Sequence, residues 1–266
     1  MTNGWTNGPE LTAESALAAA LDGGRMLARH QEADGRYAYR VRGPSGRIDN
    51  RSYNFPRHAG TTWFLARLAQ RTGDPGIIEA TQKGLAYMAA NTNDLGDGRA
   101  YLGDPRRKDG RAWVGTTSLA VLAAVAADHP LALPWGRFIA STVDEAGMVR
   151  GEMDRSTRAF VSVGKNPYGQ GQTTLAIAAL VRAGHDEFIP VLNRLADFMD
   201  GDYAPGGVGR LVVLDEHWTC IASLVVKDAI GRSAGDDICF AYLHKERSKT
   251  PDASSRIRPF AAAAGG

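Results

Sequence analysis

Apolar side chains recur along this chain at intervals of three and four, the spacing that gathers them on one face of an α-helix. The pattern predicts helices over 15–31, about 59–71, 77–90, 116–127, 135–145, 173–183, 187–199 and 216–230. A shorter block at 236–244 would be a ninth. No block of strict alternation competes, and 208–214 stands alone as an extended candidate. The helices are of two kinds. Block 116–127 is apolar nearly all round, so it must be buried on every side. Block 77–90 is amphipathic, with Ile78, Leu85 and Met88 expected inward and Glu79, Gln82 and Lys83 toward water. Buried and half-exposed helices therefore alternate, as in an inner layer of helices surrounded by an outer one.

The alternation is a repeat. HAGTTWFLARLA begins at His58, WVGTTSLAVLAA at Trp113 and GQGQTTLAIAAL at Gly169, and HWTCIASLVV at His217 is a weaker fourth copy. The Thr pairs 61–62, 116–117 and 173–174 suit helix N-caps, where a hydroxyl accepts from an orphan N–H. Links from a buried helix to the next amphipathic one are short, as at Thr72-Gly73-Asp74-Pro75. The return links, 33–57, 91–112, 146–169 and 201–215, are long and carry Asp34-Gly35, Asp97-Gly98 and Gly206-Gly207. Long ordered loops tend to carry function. All four lie beside the starts of the buried helices, where N-termini also favour anions.

Composition narrows the function classes. Thirty-one basic against 29 acidic residues leave a net charge of +2, no global reason to expect nucleic acid as a partner. No run of about 18 apolar residues exists to span a membrane. The first ten residues lack the features of a secretory signal, and Cys220 and Cys239 cannot make a disulfide framework, so a cytoplasmic setting is expected. Residues 1–14 are expected to be a flexible N-terminus, 15–245 one all-α domain, and 246–266 a disordered tail.

The repeat, with Gln31-x-x-Asp34-Gly35 after the first helix and YNFPRHAGTTWFLARLAQRTGD at 53–74, resembles the α/α-toroid proteins. More narrowly it looks like the six-hairpin glycosidase-like and terpenoid-cyclase-like toroids of an uncharacterised bacterial branch. Asp215-Glu216-His217-Trp218 looks like a version of the Asp-His-Trp segment that opens a later inner helix in such relatives. The resemblance covers about residues 15–245 and implies an α/α toroid. About four hairpins are present where full toroids have five to seven, so an open ring, or one closed by a homodimer, is expected.

Tyr53, Asn54, Arg57 and His58 combine a phenol, an amide, a guanidinium and an imidazole within six positions. Such a set can abstract a proton beside a carboxylate: Arg57 and Asn54 would neutralise the carboxylate while Tyr53 and His58 move protons. Toroid polysaccharide lyases and uronate epimerases use groups of this kind, so the resemblance implies a uronic-acid substrate. The bland alternative has Asn54 and His58 capping a helix, Arg57 tying loops and Tyr53 packed. Asp215 and His217 are candidates to assist the chemistry, with Glu216 lining the site and Trp218 as a sugar-stacking platform. Acidic residues at a helix start are equally explained by the dipole. Gln170 and Gln172 could hydrogen-bond hydroxyls, and Tyr168 and Trp113 precede their Thr pairs as ring-binding faces. The basic stretch at 106–108 is expected to be solvated or to face an acidic substrate.

His217 with Cys220 faintly resembles the zinc region of prenyltransferases, but the spacing differs, and Cys220 reads as a small core residue. No metal or cofactor is expected. The reading is a carbohydrate-active enzyme working on an acidic saccharide by lyase- or epimerase-type proton abstraction or by hydrolysis. The alternatives are a non-catalytic glycan- or peptide-binding scaffold of a biosynthetic cluster, and a prenyltransferase- or terpene-cyclase-like protein.

Overall fold

The structure is a computed structural model that describes residues 12–43, 45–161, 167–201, 217–236 and 239. Its helices are α1 (Ala13–Arg29), α2 (Phe55–Thr72), α3 (Pro75–Ala90), α4 (Val114–Ala126), α5 (Ala132–Ser141), α6 (Pro167–Arg182), α7 (Ile189–Asp200) and α8 (Trp218–Ile230). A 3-10 turn at Asp186–Phe188 leads into α7. The chain forms two compact units, one of residues up to 139 with 153–159, the other of 140–152 with residues from 160 onward.

In the first unit α2 packs against α4, and α1 and α3 pack on α2. The layering follows from composition. Helix α4 buries nearly every residue from Val114 to Ala126, whereas α1 presents one face, Leu17, Ala20, Leu21, Leu27 and Ala28, to a core of Tyr37, Leu65, Leu68, Ile77 and Ala80. Each large aliphatic side chain buried there contributes about 1.5–3 kcal/mol. Helices α2 and α3 turn sharply because Gly73 takes a left-handed C-cap and Asp74 caps α3 through the N–H groups of Gly76 and Ile77. In the second unit α6 packs against α8, and α7 packs on both. Helix α6 is buried over 169–178.

Several expectations change. Helix α2 begins at Phe55 and α6 at Pro167, a turn or more before the Thr pairs. The Thr residues are therefore not caps. Thr62 and Thr174 lie fully buried about two turns in, donating to the carbonyls of His58 and Gln170 one turn earlier. Asn54 is the cap of α2, its carboxamide oxygen accepting from the Arg57 N–H. Ile77 rather than Ile78 is buried on α3. Helix α1 already starts at Ala13, held by a capping box between Thr12 and Ser15. Helix α5 ends at Ser141, because Val143 bridges to Val149 instead of extending the helix. Cys220 is joined to Cys239 in a disulfide, Cα–Cα 5.2 Å, and is no free core thiol. That pairing suits an oxidising setting, so cysteine usage no longer argues for a reducing one. No described helix is long and apolar enough to cross a membrane. Segment 208–214 and most of 236–244 lie outside the described residues, as do 1–11 and 246–266.

The return links, expected as plain loops, carry short β-structure. One holds a hairpin of β1 (Val41–Arg42) and β2 (Arg47–Ile48), and the next a hairpin of β3 (Thr92–Asp94) and β4 (Ala100–Leu102). Within them a turn recurs three times, at 32–35, 95–98 and 144–147. In each, the first residue's N–H bonds to the carbonyl just past the glycine: Glu32 to Arg36, Leu95 to Arg99 and Asp144 to Met148. Gly35, Gly98 and Gly147 all have positive φ. Two of them also press on a helix of their own unit. A Cβ on Gly35 would lie 2.3 Å from the Lys83 carbonyl oxygen of α3, and one on Gly147 would lie 2.1 Å from that of Arg194 in α7. The third turn contains no Asp-Gly pair, so the sequence reading passed over it.

This contact predicts unequal costs for equal substitutions. Gly73 has positive φ but open space around it, so Gly73→Ala should cost only about 1–2 kcal/mol of backbone strain. Gly147→Ala adds a clash with fixed backbone and should cost roughly 3 kcal/mol or more. Urea unfolding of the two variants checks this; equal midpoints would refute it.

Candidate functional site

The first unit gathers its chemistry where α2 begins and α3 ends. The N–H of Tyr37, just past the first turn, donates to the Tyr53 hydroxyl oxygen at 3.3 Å. Tyr53 contacts His58 Nδ1 at 2.5 Å, and His58 Nε2 contacts the Gly84 carbonyl oxygen at 2.9 Å. A carbonyl only accepts, so the proton sits on Nε2 and Nδ1 accepts from the Tyr53 phenol. Gly84 permits this approach, since a Cβ there would lie 2.4 Å from the Tyr37 hydroxyl and 2.7 Å from that of Thr62. Tyr53 is 6% exposed and His58 2%. Burial pushes the His58 imidazole down to about 4 and the Tyr37 phenol up to about 12, and it raises the Tyr53 phenol further. Both His58 nitrogens are thus engaged and the ring is neutral.

Around this relay lies an aromatic cluster edged by arginines. Tyr87 stacks on Phe55 with centroids 5.4 Å apart, and lies 5.2 Å from the His58 ring and 6.4 Å from that of Tyr53. The Arg57 guanidinium lies over Tyr39 at 4.8 Å, and that of Arg106 over Tyr53 at 5.2 Å. Arg106 also donates to the Asn50 carbonyl, which ties the second return link to the first. So part of the basic stretch is not simply solvated: Arg106 covers the relay, and Arg107 lies over Trp113 at 3.8 Å while pairing with Asp109. Asn54 spends its amide on the Arg57 N–H and the Tyr39 hydroxyl. The Tyr87 phenol is half-buried and raised chiefly by that burial, with Arg36, Asp34, Arg106 and Asp104 all near enough to act on it. Arg36 itself is paired with Asp34 at 2.7 Å.

Tyr39, Tyr87, Arg36 and the placement of Arg106 escaped the sequence reading. Tyr87 closes an amphipathic helix where an aromatic reads as core. Its one available signal was position, at the end of that helix just before a return link.

In the second unit the expected residues divide. Tyr168, His217 and Trp218 come together, with His217 4.8 Å from the Trp218 ring and edge-on to Tyr168 at 6.5 Å. Gly171 allows this, because α6 meets α8 so closely that a Cβ would lie 2.7 Å from that of Trp218. Gln170, 2% exposed, turns away to the link. It accepts from the Val149 N–H and donates to the Gly147 carbonyl, both at 2.9 Å. Gln172 is buried with no hydrogen-bond partner among the described residues. Asp215 and Glu216 lie outside the described residues. The disulfide takes the Cys220 sulfur away from any ligand role beside His217, and no group of three or more metal-ligating side chains occurs among the described residues.

The buried imidazole makes stability depend on pH. Its folded value lies below the unfolded one near 6.5, so the unfolded chain binds the extra proton between pH 6.5 and about 4. His58's contribution is complete above pH 6.5 and fades as pH falls through that window, to a total of about 3 kcal/mol. Since Gln170 holds the matching place in α6, His58→Gln should fold and flatten this part of the profile. Denaturant midpoints of both proteins from pH 7 to pH 4 check it; parallel profiles would refute it.

A scan against protein-family models and a search of curated protein sequences found no match. Solved structures do match. A sugar epimerase from a ruminal bacterium aligns with a TM-score of 0.64 at 14% identity, over 88% of this chain and 69% of that one. A D-mannose isomerase aligns at 0.69 and 12% identity, over 93% and 74%. The unsaturated glucuronyl hydrolase of Bacillus sp. GL1 aligns at 0.51 and 16% identity, over 71% of this chain and 57% of that one. These proteins are α/α toroids, and the architecture anticipated from the repeat is the one found: the chain has the α/α-toroid fold.

Proposed function

We propose that the protein is a carbohydrate-active enzyme that takes an acidic saccharide at the start of α2 in the first unit. The observation that carries this reading is the cluster of Tyr39, Tyr53, Phe55 and Tyr87 edged by Arg36, Arg57 and Arg106. Aromatic faces pack against the apolar faces of sugar rings, and guanidinium groups recognise carboxylates. The three solved neighbours carry names of a sugar epimerase, a mannose isomerase and a glucuronyl hydrolase, which supports the saccharide class.

Roles follow from what each polar atom is already doing. Tyr53 and His58 are spent on one another and on backbone, so here they are positioning residues that hold the link and the Arg106-covered face in place. Tyr87 has no hydrogen-bond partner among the described residues, and burial keeps its phenol protonated at neutral pH. It is suited to donate a proton to a sugar oxygen, by the epimerase or lyase route or by glycoside hydrolysis. Tyr168, His217 and Trp218 form a separate aromatic face in the other unit, suited to a sugar ring of its own. The engagement of Tyr53 and His58 also favours a second reading, a binding protein without catalysis.

Incubation with alginate, glucuronan, pectic fragments and free uronates separates the readings. The enzyme reading expects unsaturated products, new reducing ends or interconverted epimers. It further expects Tyr87→Phe to lower turnover by about 10²-fold or more with little change in binding, and Arg106→Gln to weaken binding roughly tenfold. Binding without turnover would leave the second reading, and neither would refute both. Ile221 and Leu224 of α8 are exposed, Leu224 by 70%, which supports a homodimer; a monomeric mass by light scattering at working concentration would count against it.

A further inference from the structure

We infer that the second unit carries a separate pocket for an acidic monosaccharide, a sugar acid or a sugar phosphate, with Arg150 and Arg194 holding its oxyanion. A cavity of about 610 Å³ opens there, lined by Val143, Asp144, Glu145, Ala146, Arg150 and Arg194. Its wall is the third glycine turn, and its floor is α7, against which Gly147 packs at the Arg194 carbonyl.

The internal repeat shows what is unusual about this place. Gly35 meets α3 at Lys83 as Gly147 meets α7 at Arg194, so the two helices can be compared position by position. Lys83 is neutralised by Glu79 one turn earlier, at 2.7 Å. The residue one turn before Arg194 is Pro190, which offers no charge. Three residues past the glycine the first unit has Ala38, and the second unit has Arg150. The second unit thus has a second guanidinium, that of the exposed Arg150, and lacks the one-turn ion pair that Lys83 makes in the first. Neither Arg150 nor Arg194 is within ion-pair distance of a carboxylate among the described residues, although Asp144 and Glu145 line the same cavity. The Arg194 Nε–H is buried with no hydrogen-bond partner among the described residues. That nitrogen has almost no accessible surface, so it is the terminal part of the guanidinium that can meet a ligand in the cavity. Nothing in the fold requires this arrangement, since Lys83 fills the matching position with a satisfied pair.

The lining also says what kind of oxyanion fits. Asp144 has one carboxylate oxygen fixed by the Met148 N–H, and Glu145 is exposed beside it. Two carboxylates next to two guanidinium groups do not suit a bare anion. They suit a ligand that brings an oxyanion to the arginines and hydroxyl donors to the acids, with Val143 and Ala146 against its carbon skeleton. A cavity of this size is enough for one sugar ring with its substituents.

The inference does not rest on the site proposed for the first unit, and the test keeps the two apart. The protein carrying Arg36→Gln and Arg106→Gln, which strips two guanidinium groups from the first unit, is titrated with glucuronate, glucose 6-phosphate and glucose by calorimetry. At least one of the two acids should bind in the millimolar range or tighter and at least roughly tenfold more strongly than glucose. Which acid binds better identifies the carboxylate or the phosphate as the natural group. Adding Arg150→Gln and Arg194→Gln should abolish the difference. Arg194→Lys, which keeps the charge and loses the planar fork, should weaken acid binding roughly tenfold while retaining the thermal unfolding midpoint. The inference is overturned if neither acid binds more tightly than glucose, or if the variants lacking both arginines bind the acids unchanged.

Discussion

One buried N–H sets much of what this chain can do. Two residues past the glycine of the first and third turns, Tyr37 and Val149 point into the core of their units, and each amide hydrogen must be met without water. In the second unit Gln170 meets it alone: its oxygen accepts from Val149 while its nitrogen donates to Gly147. In the first unit the matching residue of the inner helix is His58. There the Tyr37 N–H is met by the Tyr53 hydroxyl, which in turn rests on His58 and through it on Gly84. Gln31 takes over the remaining task, donating to the Gly35 carbonyl and to that of Ala80. Three side chains do in one unit what a single glutamine does in the other. The longer relay places Tyr53 beneath Arg106 and His58 beside Tyr87, so a structural requirement assembles the aromatic floor of the proposed site.

The same constraint explains the glycines. A turn whose outer edge lies on a helix backbone leaves no room for a Cβ, and Gly35 and Gly147 are held both by positive φ and by that contact. Inner helices approach each other under a similar rule: Gly171 lets α6 reach the start of α8. The abundance of Ala and Gly, 41 and 31 residues, is therefore spent in two ways. Alanine fills helices such as α4 that are buried all round, and glycine marks where one backbone runs against another.

The architecture was legible because its cause is local. Period, amphipathicity and repeat all reside in neighbouring residues, and α2, α4 and α6 could be found from the Thr pairs alone. Where those helices start was not legible. The Thr hydroxyls look like caps in sequence, yet in the fold they bond back to carbonyls one turn earlier. The site was half legible. Tyr53, Asn54, Arg57 and His58 do lie together, but whether a polar atom is free or spent depends on partners far along the chain, such as Gly84 for His58. Tyr87 and Arg106 come from a different helix and a different link, and only the fold brings them to Tyr53. The disulfide was missed for a related reason: Cys220 sits among apolar neighbours in sequence, and nothing local tells that Cys239 returns to it.

A repeat protein offers its own control for telling structure from function. Where two copies hold different residues in the same role, as with His58 and Gln170, the role is structural and the identity is free to vary. Where one copy has a group with no role that its counterpart performs, the group needs another explanation. Lys83 has its Glu79, whereas Arg194 has Pro190 one turn before it and, among the described residues, no acceptor for its buried Nε–H. Tyr87 matches Phe198 in the same comparison, since Gly35 touches the Cβ of one and Gly147 that of the other. Phenylalanine satisfies the packing there, so the hydroxyl of Tyr87 is surplus to the fold. Packing accounts for the ring and leaves the oxygen to chemistry, which is why the phenol of Tyr87, rather than the buried His58, stands at the centre of the proposed site.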